Sequence, residues 1–454
     1  MKSIIKKFHG LDLTTGNTIK TIWLLAFPIM MGNLLQTAFN VVDMIWVGRL
    51  GPGAIAAVGM SGVVLMVVIT LIIGVSTGTQ ALISRFIGAK KQKEAENVAM
   101  QSLIIGLGMS IIMAAIGIFF SRPILKALGA NSQILEAGSD YLNIILSGGF
   151  MMVYLFLITT IFRATGDTFT PMLIMLGAVA LNIILDPLMI FGIGFPRMEV
   201  SGAALATVIS RGTASLAGLY ILFKGHSRVK VHFSKLKMDI RTIIRILKVG
   251  FPNCVQMALR SVVGLVLMSI VARYGHYAIA AYGIGLRVFS IVLMPGFALA
   301  TSAATLVGQN MGAKNLSRAK RCAWQAAGFN ILLMGLVGIM FYAFSSNLIS
   351  VFNNNPNVVQ LGSEYLRITS FSYIFVALGL VLGRSLMGAG DTISPMFITL
   401  IALLGIQIPL AYILSNNLHI GLNGIWWAIL ISSIIHGSLT TFWFKLDYWK
   451  LKKI

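Results

Sequence analysis

The sequence predicts an all-α polytopic membrane protein, with twelve transmembrane helices in two six-helix lobes related by a parallel internal repeat. Three observations predict this class: composition, a succession of long apolar runs, and self-similarity at one constant offset. Of 454 residues, 57% are hydrophobic and 11% are charged, against about 25% charged in soluble proteins. Apolar runs of 20 residues or more follow one another from about residue 22 to residue 444, each long enough for a hydrocarbon core of roughly 30 Å. The spans lie near 22–47, 54–83, 98–120, 138–162, 171–192, 201–223, 246–272, 278–308, 323–344, 362–385, 394–415 and 423–444. Uninterrupted helical runs, rather than alternating segments of about ten residues, exclude an outer-membrane barrel.

Shifting the chain by 224 residues superposes Phe27-Pro28 on Phe251-Pro252, and Arg49 and Gly51 on Arg273 and Gly275. At the same offset Gly88-Ala89-Lys90 falls on Gly312-Ala313-Lys314, Tyr141-Leu142 on Tyr365-Leu366, and Gly166-Asp167-Thr168 on Gly390-Asp391-Thr392. The expected domains are therefore an N-terminal lobe (1–223), a polar linker (224–248) and a C-terminal lobe (249–454). An even number of spans per half gives both halves one orientation, with the substrate path between or within them. The linker, with His226, Ser227, Arg228 and Lys230, is expected to let one lobe move against the other.

The net charge of +22 does not point to nucleic acid, because of where it lies. Lys and Arg concentrate in the N-terminal arm (Lys2, Lys6, Lys7), the loops after even-numbered spans and the C-terminal tail. Loops after odd-numbered spans hold only Arg49, Arg122, Lys126, Arg197 and Arg273. By the positive-inside rule both termini and the linker are expected in the cytoplasm.

In the first span, Asn33, Gln36, Asn40 and Asp43 recur at helical spacing and share one face. An Asp at the centre of a membrane helix costs at least about 2.5 kcal/mol, so Asp43 is expected to face a polar interior and to be functional. Asp167, in Arg163-Ala-Thr-Gly-Asp-Thr before Pro171, is expected to cap a helix, as is Asp391 before Pro395. The fifth span carries Asn182 and Asp186 four residues apart on one face. Pro187 cannot donate to the Ile183 carbonyl, so a local distortion is expected beside the acid. In the sixth span Thr207 follows the small-residue run Gly202-Ala-Ala-Leu-Ala; a Thr in such a helix commonly bonds its own backbone.

The second half differs where chemistry is expected. At the 224 offset Gln36 becomes Arg260, Asn40 becomes Gly264, Asp43 becomes Leu267 and Asp186 becomes Leu410. The seventh span instead presents Asn253, Gln256 and Arg260 on one face. Arg260 could pair with an acid across the lobes, bind an anionic substrate group, or be satisfied by helix carbonyls.

The Phe27-Pro28 opening, Asp43-x-x-x-Val-Gly-Arg-Leu-Gly, the duplicated Gly-Asp-Thr loop, and Asn182-x-x-x-Asp186-Pro187 followed by Gly202-Ala-Ala-Leu-Ala-Thr207 resemble the multidrug and toxic compound extrusion (MATE) transporters over essentially the whole chain. The paired N-lobe acids resemble the DinF-type branch. The resemblance implies export of cationic or amphipathic compounds driven by inward H+ or Na+ flow. It implies a cation and proton site at Asp43, Asn182, Asp186 and Thr207, which could bind Na+, with Tyr141 lining the cavity and Pro28 bending the first helix. The NorM-type branch places a glutamate in the seventh helix where this chain has Arg260.

The expected function is thus secondary active multidrug antiport in the cell membrane, with H+ or Na+ as coupling ion and no other cofactor. Gln36, Asn40, Asn33, Tyr141, Arg260 and Gln256 are expected to line the substrate cavity, with Pro28 and Pro187 as conformational elements. Small-molecule substrates and membrane lipids are the expected partners, with no nucleic acid and a monomeric state. The alternative is a flippase for lipids or lipid-linked oligosaccharides, for which Arg260 and Arg287 would serve as a sparse set of phosphate-binding cations. No metal-spaced His/Cys cluster, phosphate loop or nucleophile-base set supports an enzyme.

Overall fold

The computed structural model describes residues 12–194, 196–224, 228–230, 237–418 and 420–452. Lys2, Lys6, Lys7, His226 and Ser227 lie outside the described residues. The first half comprises α1 (Thr18–Gly48), α2 (Pro52–Gly88), α3 (Gln92–Ala127), α4 (Ser132–Ser147), α5 (Gly149–Thr165), α6 (Phe169–Phe191) and α7 (Glu199–Lys224). The second comprises α8 (Ile240–Ala272), α9 (His276–Gly312), α10 (Leu316–Ala343), the short α11 (Ser345–Ser350), α12 (Pro356–Ser370), α13 (Tyr373–Gly388), α14 (Ile393–Asn417) and α15 (Leu422–Lys445).

Ten of these helices are long and apolar enough to cross a membrane, and the count reaches twelve when two bent pairs are each taken as one span. The bent pairs are the fourth and tenth spans, broken by 48° between α4 and α5 and by 56° between α12 and α13. They occupy equivalent places in the repeat, so the bend is a property of the duplicated unit. The motif matches also recur as backbone geometry. Gly51 and Gly275 (φ 107° and 92°) precede α2 and α9, and Gly166 and Gly390 (φ 96° and 92°) end α5 and the α13 turn, left-handed positions where glycine avoids the Cβ penalty. Asp167 Oδ1 accepts the Thr170 N–H at 3.0 Å, and Asp391 Oδ1 accepts the Ser394 hydroxyl at 2.9 Å, so both acids serve their helix starts.

The expected distortion at Pro187 does not interrupt α6, which is continuous through Phe191. Distortion appears instead in the equivalent span of the second half. There α14 widens to i→i+5 turns over Leu400–Gln407 and Ile413–Asn417, on either side of Pro409.

The chain divides into two compact units: Met1–Asp12 with Phe27–Gly250, and Leu13–Ala26 with Phe251–Ile454. The lobe boundaries read from the sequence are therefore displaced. The first turns of α1 belong to the second unit, and the first turns of α8 to the first. The two switches fall after Ala26 and Gly250, each directly before a Phe-Pro pair of the repeat.

Physical contacts explain both displacements. Within the first unit, Gly78 lies against the Ile246 carbonyl and Gly250 against the Gly74 carbonyl, so closely that no Cβ could be accommodated at either glycine. Within the second, the Arg318 guanidinium donates to the Thr15 and Gly16 carbonyls at 2.6 Å each, and Trp23 meets Phe329 edge-on with centroids 5.4 Å apart. The linker is not a free tether. Gln92 donates to the Arg228 carbonyl at 2.9 Å, Gln101 to the Lys237 carbonyl at 2.8 Å, and Asn97 to Asp239 Oδ2 at 2.8 Å, fastening the linker to α3.

Replacing Gly250 by Val should lower stability by about 1–3 kcal/mol, because backbone rather than a movable side chain opposes the new atoms; thermal unfolding in detergent measures this. Hydrogen bonds from the Thr242 hydroxyl and from Asn97 hold the Asp239 carboxyl below its ordinary value of 3.8. A carboxyl lowered in the folded state adds stability above its unfolded value and loses it as pH falls through the folded one. Hydrogen exchange of residues 237–242, corrected for intrinsic rates, should stay slow down to about pH 4 and accelerate below it. Asp239→Asn should abolish that dependence.

Candidate functional site

Three helices of the first unit carry the site. On α6, the four-residue spacing of Asn182 and Asp186 closes a hydrogen bond, Asn182 Nδ2 donating to Asp186 Oδ1 at 2.8 Å, with both side chains wholly buried. On α1, Asp43 is buried at 9% exposure. On α7, Thr207 is buried at 4% exposure.

Packing around these residues shows that they form one layer. One turn beyond each lies an apolar cluster that unites Val47 of α1, Ile190 of α6, Ala203 of α7 and Tyr141 of α4. Val47 and Ile190 lie four residues after Asp43 and Asp186, and Ala203 four residues before Thr207, as expected for a seventh helix running opposite to the other two. One turn on the other side, Phe39 packs with Met175 and Val179, and the Arg211 guanidinium lies 5.2 Å above the Phe39 ring. Arg211 is four residues beyond Thr207, so the polar layer sits between two sets of mutually contacting residues. The charges of Asp43 and Asp186 act on one another, Tyr141 feels both, and Arg211 acts on Asp43.

Four oxygen atoms of this layer are buried without a hydrogen-bond partner among the described residues: Asp43 Oδ1, Asn182 Oδ1, Asp186 Oδ2 and Thr207 Oγ1. Thr207 does not bond its own backbone, whereas Thr213 on the same helix donates to the Ile209 carbonyl at 2.9 Å. Each unsatisfied buried group costs about 1–3 kcal/mol. Two carboxylates, an amide oxygen and a hydroxyl are hard donors that suit a proton or a small hard cation such as Na+.

The remaining sequence-derived candidates distribute as follows. Asn33 and Gln36 are half-buried and Asn40 is exposed, with Gln36 Nε2 3.4 Å from Asn40 Oδ1, so they line α1 below the acid without joining the layer. Pro28 lies within an uninterrupted α1, two residues past the switch between units. Gln256 and Arg260 belong to the second unit. The Gln256 amide donates to the Pro395 carbonyl at 2.8 Å and to Thr399 Oγ1 at 2.7 Å, which commits it to holding α8 against α14. Sequence reasoning missed Arg211; an arginine midway along the sixth span, on the face of Thr207, was the available signal.

The repeat-equivalent place in the second unit is filled with apolar groups. Leu267, Tyr365 and Trp426 share one buried core, Leu410 packs against it, and Tyr365 meets Trp426 edge-on at 4.9 Å. The carboxylate layer therefore exists in one half only.

A polytopic helical bundle, duplicated, with a carboxylate layer inside one half, defines a membrane transporter rather than an enzyme. The MatE family model matches residues 28–188 and 252–413, and the chain belongs to that family of multidrug and toxic compound extrusion transporters. Among its relatives, the protein named Probable multidrug resistance protein YoeA of Bacillus subtilis (strain 168) is 29% identical over 426 residues, covering 91% of each chain. A FAD transporter of Shewanella oneidensis is 28% identical over 435 residues, covering 95% of each. The outward-facing structure of a multidrug resistance MATE family transporter of the MOP superfamily matches with a TM-score of 0.89 and 27% identity, covering 96% of this chain and 97% of that one.

Asn182→Ala removes the one donor seen at Asp186 and should cost about 1–3 kcal/mol, read as a lowered unfolding temperature in detergent. A neutral surface replacement such as Ser139→Ala should leave that temperature within error.

Proposed function

We propose that the protein is a secondary active exporter of cationic or amphipathic small molecules, exchanging them for inward H+ or Na+ by alternating access in the plasma membrane. The observation that carries this reading is the set of unpartnered oxygens on Asp43, Asn182, Asp186 and Thr207. Family membership alone does not give the cargo, since one relative is a FAD transporter; cation export rests on the acids.

In this reading a proton or Na+ arriving from outside neutralises the Asp43 and Asp186 pair. With its charge gone, the layer no longer favours a cationic cargo, and α1 bends near Pro28, where the chain passes from one unit to the other. Loss of the ion to the cytoplasm restores the negative layer. Pro28 lacks an N–H, so α1 has a missing hydrogen bond at that point and bends there at least cost. Tyr141 closes the layer beside the apolar cluster. The chain acts as a monomer in contact with lipid, both termini cytoplasmic, and needs no cofactor beyond the coupling ion. The acid pair resembles that of the DinF-type branch and supports a reading within it.

Everted vesicles loaded with the wild-type chain should take up ethidium when a pH gradient or a Na+ gradient is imposed separately, and the effective gradient identifies the ion. Asp43→Asn and Asp186→Asn, at equal membrane insertion, should each reduce driven uptake at least about tenfold. Wild-type transport by Asp43→Asn would refute the carboxylate site.

A further inference from the structure

The second unit holds three basic side chains that the carboxylate layer does not use. Arg260 comes from α8, Arg384 from α13 and His436 from α15, and Arg260 acts electrostatically on both of the others. Basic groups that converge from three helices belong to the interior of a bundle rather than to lipid by their solvation cost, and two of the three, Arg260 and Arg384, carry a charge. Arg384 and His436 are half-buried and Arg260 is exposed.

The neighbours hold this set in place. His436 Nε2 lies 3.2 Å from Thr399 Oγ1, and the other side of its ring rests on Gly379, where an added Cβ would stand 2.7 Å from Nδ1. Thr399 donates to the Pro395 carbonyl at 2.8 Å and accepts from Gln256 at 2.7 Å. Gln256 is one turn from Arg260 on α8, so the same hydrogen-bond chain sets the register of Arg260 and the ring of His436.

Among the described residues no carboxylate pairs with the two arginines. From residue 251 onward the sequence has three carboxylates, Glu364, Asp391 and Asp447. Asp391 is engaged by Ser394, Trp443 and Lys452, Asp447 by Lys320 and Lys450, and Glu364 accepts from Gln360. Among the described residues no ion pair or hydrogen bond reaches the guanidinium of Arg260 or Arg384. At the 224 offset the three positions correspond to Gln36, Thr160 and Gly212, so only the second half is charged there. Uncompensated cations inside a membrane bundle are expensive and mark a functional place.

We propose that Arg260 and Arg384, with His436 beside them, form a binding site in the second unit for an anionic group, a carboxylate or phosphate, carried by the transported molecule. Two guanidinium forks from different helices suit a multi-oxygen anion. The exported class then includes amphipathic compounds bearing a negative group. The proposal rests on the transport reading for its purpose, but not on the coupling acids.

The test uses the full-length protein in phosphatidylcholine nanodiscs, with no gradient, titrated by fluorescence with riboflavin 5′-phosphate and with riboflavin, which differ only in the phosphate. The phosphate ester should bind at least about tenfold more tightly. Arg260→Gln and Arg384→Gln should each remove that preference while riboflavin affinity and the size-exclusion profile persist, and Arg260→Lys should keep part of it. Equal binding of the two flavins, or an unchanged preference in both Gln variants, overturns the proposal. If neither flavin binds, thermal stabilisation by inorganic phosphate over chloride at equal ionic strength decides: its loss in the Gln variants supports the site, and its absence in wild type refutes it. Displacement of bound riboflavin 5′-phosphate by phosphatidylglycerol in the disc assigns the anion to a lipid headgroup, and no displacement assigns it to a soluble molecule. Asp43 is untouched, so failure here leaves the carboxylate reading standing.

Discussion

A charge inside a membrane-spanning bundle must be matched, and the structure is organised by how it meets that demand. Lipid offers no hydrogen bonds, so each buried polar atom must find a partner within the protein or a ligand. Asp391 meets the condition through Ser394, Trp443 and Lys452, and Asp167 Oδ1 through the Thr170 N–H. At Asp43, Asn182, Asp186 and Thr207 four oxygens have no hydrogen-bond partner among the described residues.

Duplication supplied one scaffold twice and chemistry once. Helix breaks, left-handed glycines and capping acids recur at the 224 offset because the backbone needs them in both copies. The carboxylate layer does not recur. Where the first unit has Asp43 and Asp186, the second has Leu267 and Leu410 with an aromatic core of Tyr365 and Trp426. Tyr141 and Tyr365 are thus one repeat position with two roles, one bordering acids and the other filling space. The second unit also carries i→i+5 turns in α14 that its counterpart α6 lacks. Wide turns of this kind often occur at functional sites.

The switches between units give the conformational argument a place in the chain. α1 and α8 each start in one compact unit and continue in the other, changing over immediately before Phe27-Pro28 and Phe251-Pro252. Their first turns are fixed by contacts that tolerate little movement: backbone against Gly250 and Gly78, and Arg318 on the Thr15 and Gly16 carbonyls. With the ends clamped and the linker fastened to α3, the proline-bearing segment is where these helices have the least backbone hydrogen bonding to resist bending.

Much of this was legible in the residues. Apolar run length showed the spans, the constant offset showed the repeat, and the spacing of Asn182 and Asp186 showed that they share one helix face. Arg211 was missed because an arginine in an apolar span has no visible partner until helices are packed. The lobe boundaries were misplaced because hydropathy does not reveal which bundle a helix start docks against. The distortion expected at Pro187 depends on whether neighbours hold the helix straight, and here α6 stays continuous. The sequence by itself determined the class, the spans, the duplication and which acids are costly enough to matter, since periodicity and transfer energy are local quantities. Only the tertiary structure decided which oxygens remain without a partner, that the acid layer lies in one unit and the unpaired arginines in the other, and where each helix changes unit, because partnership and docking depend on residues far apart in the chain.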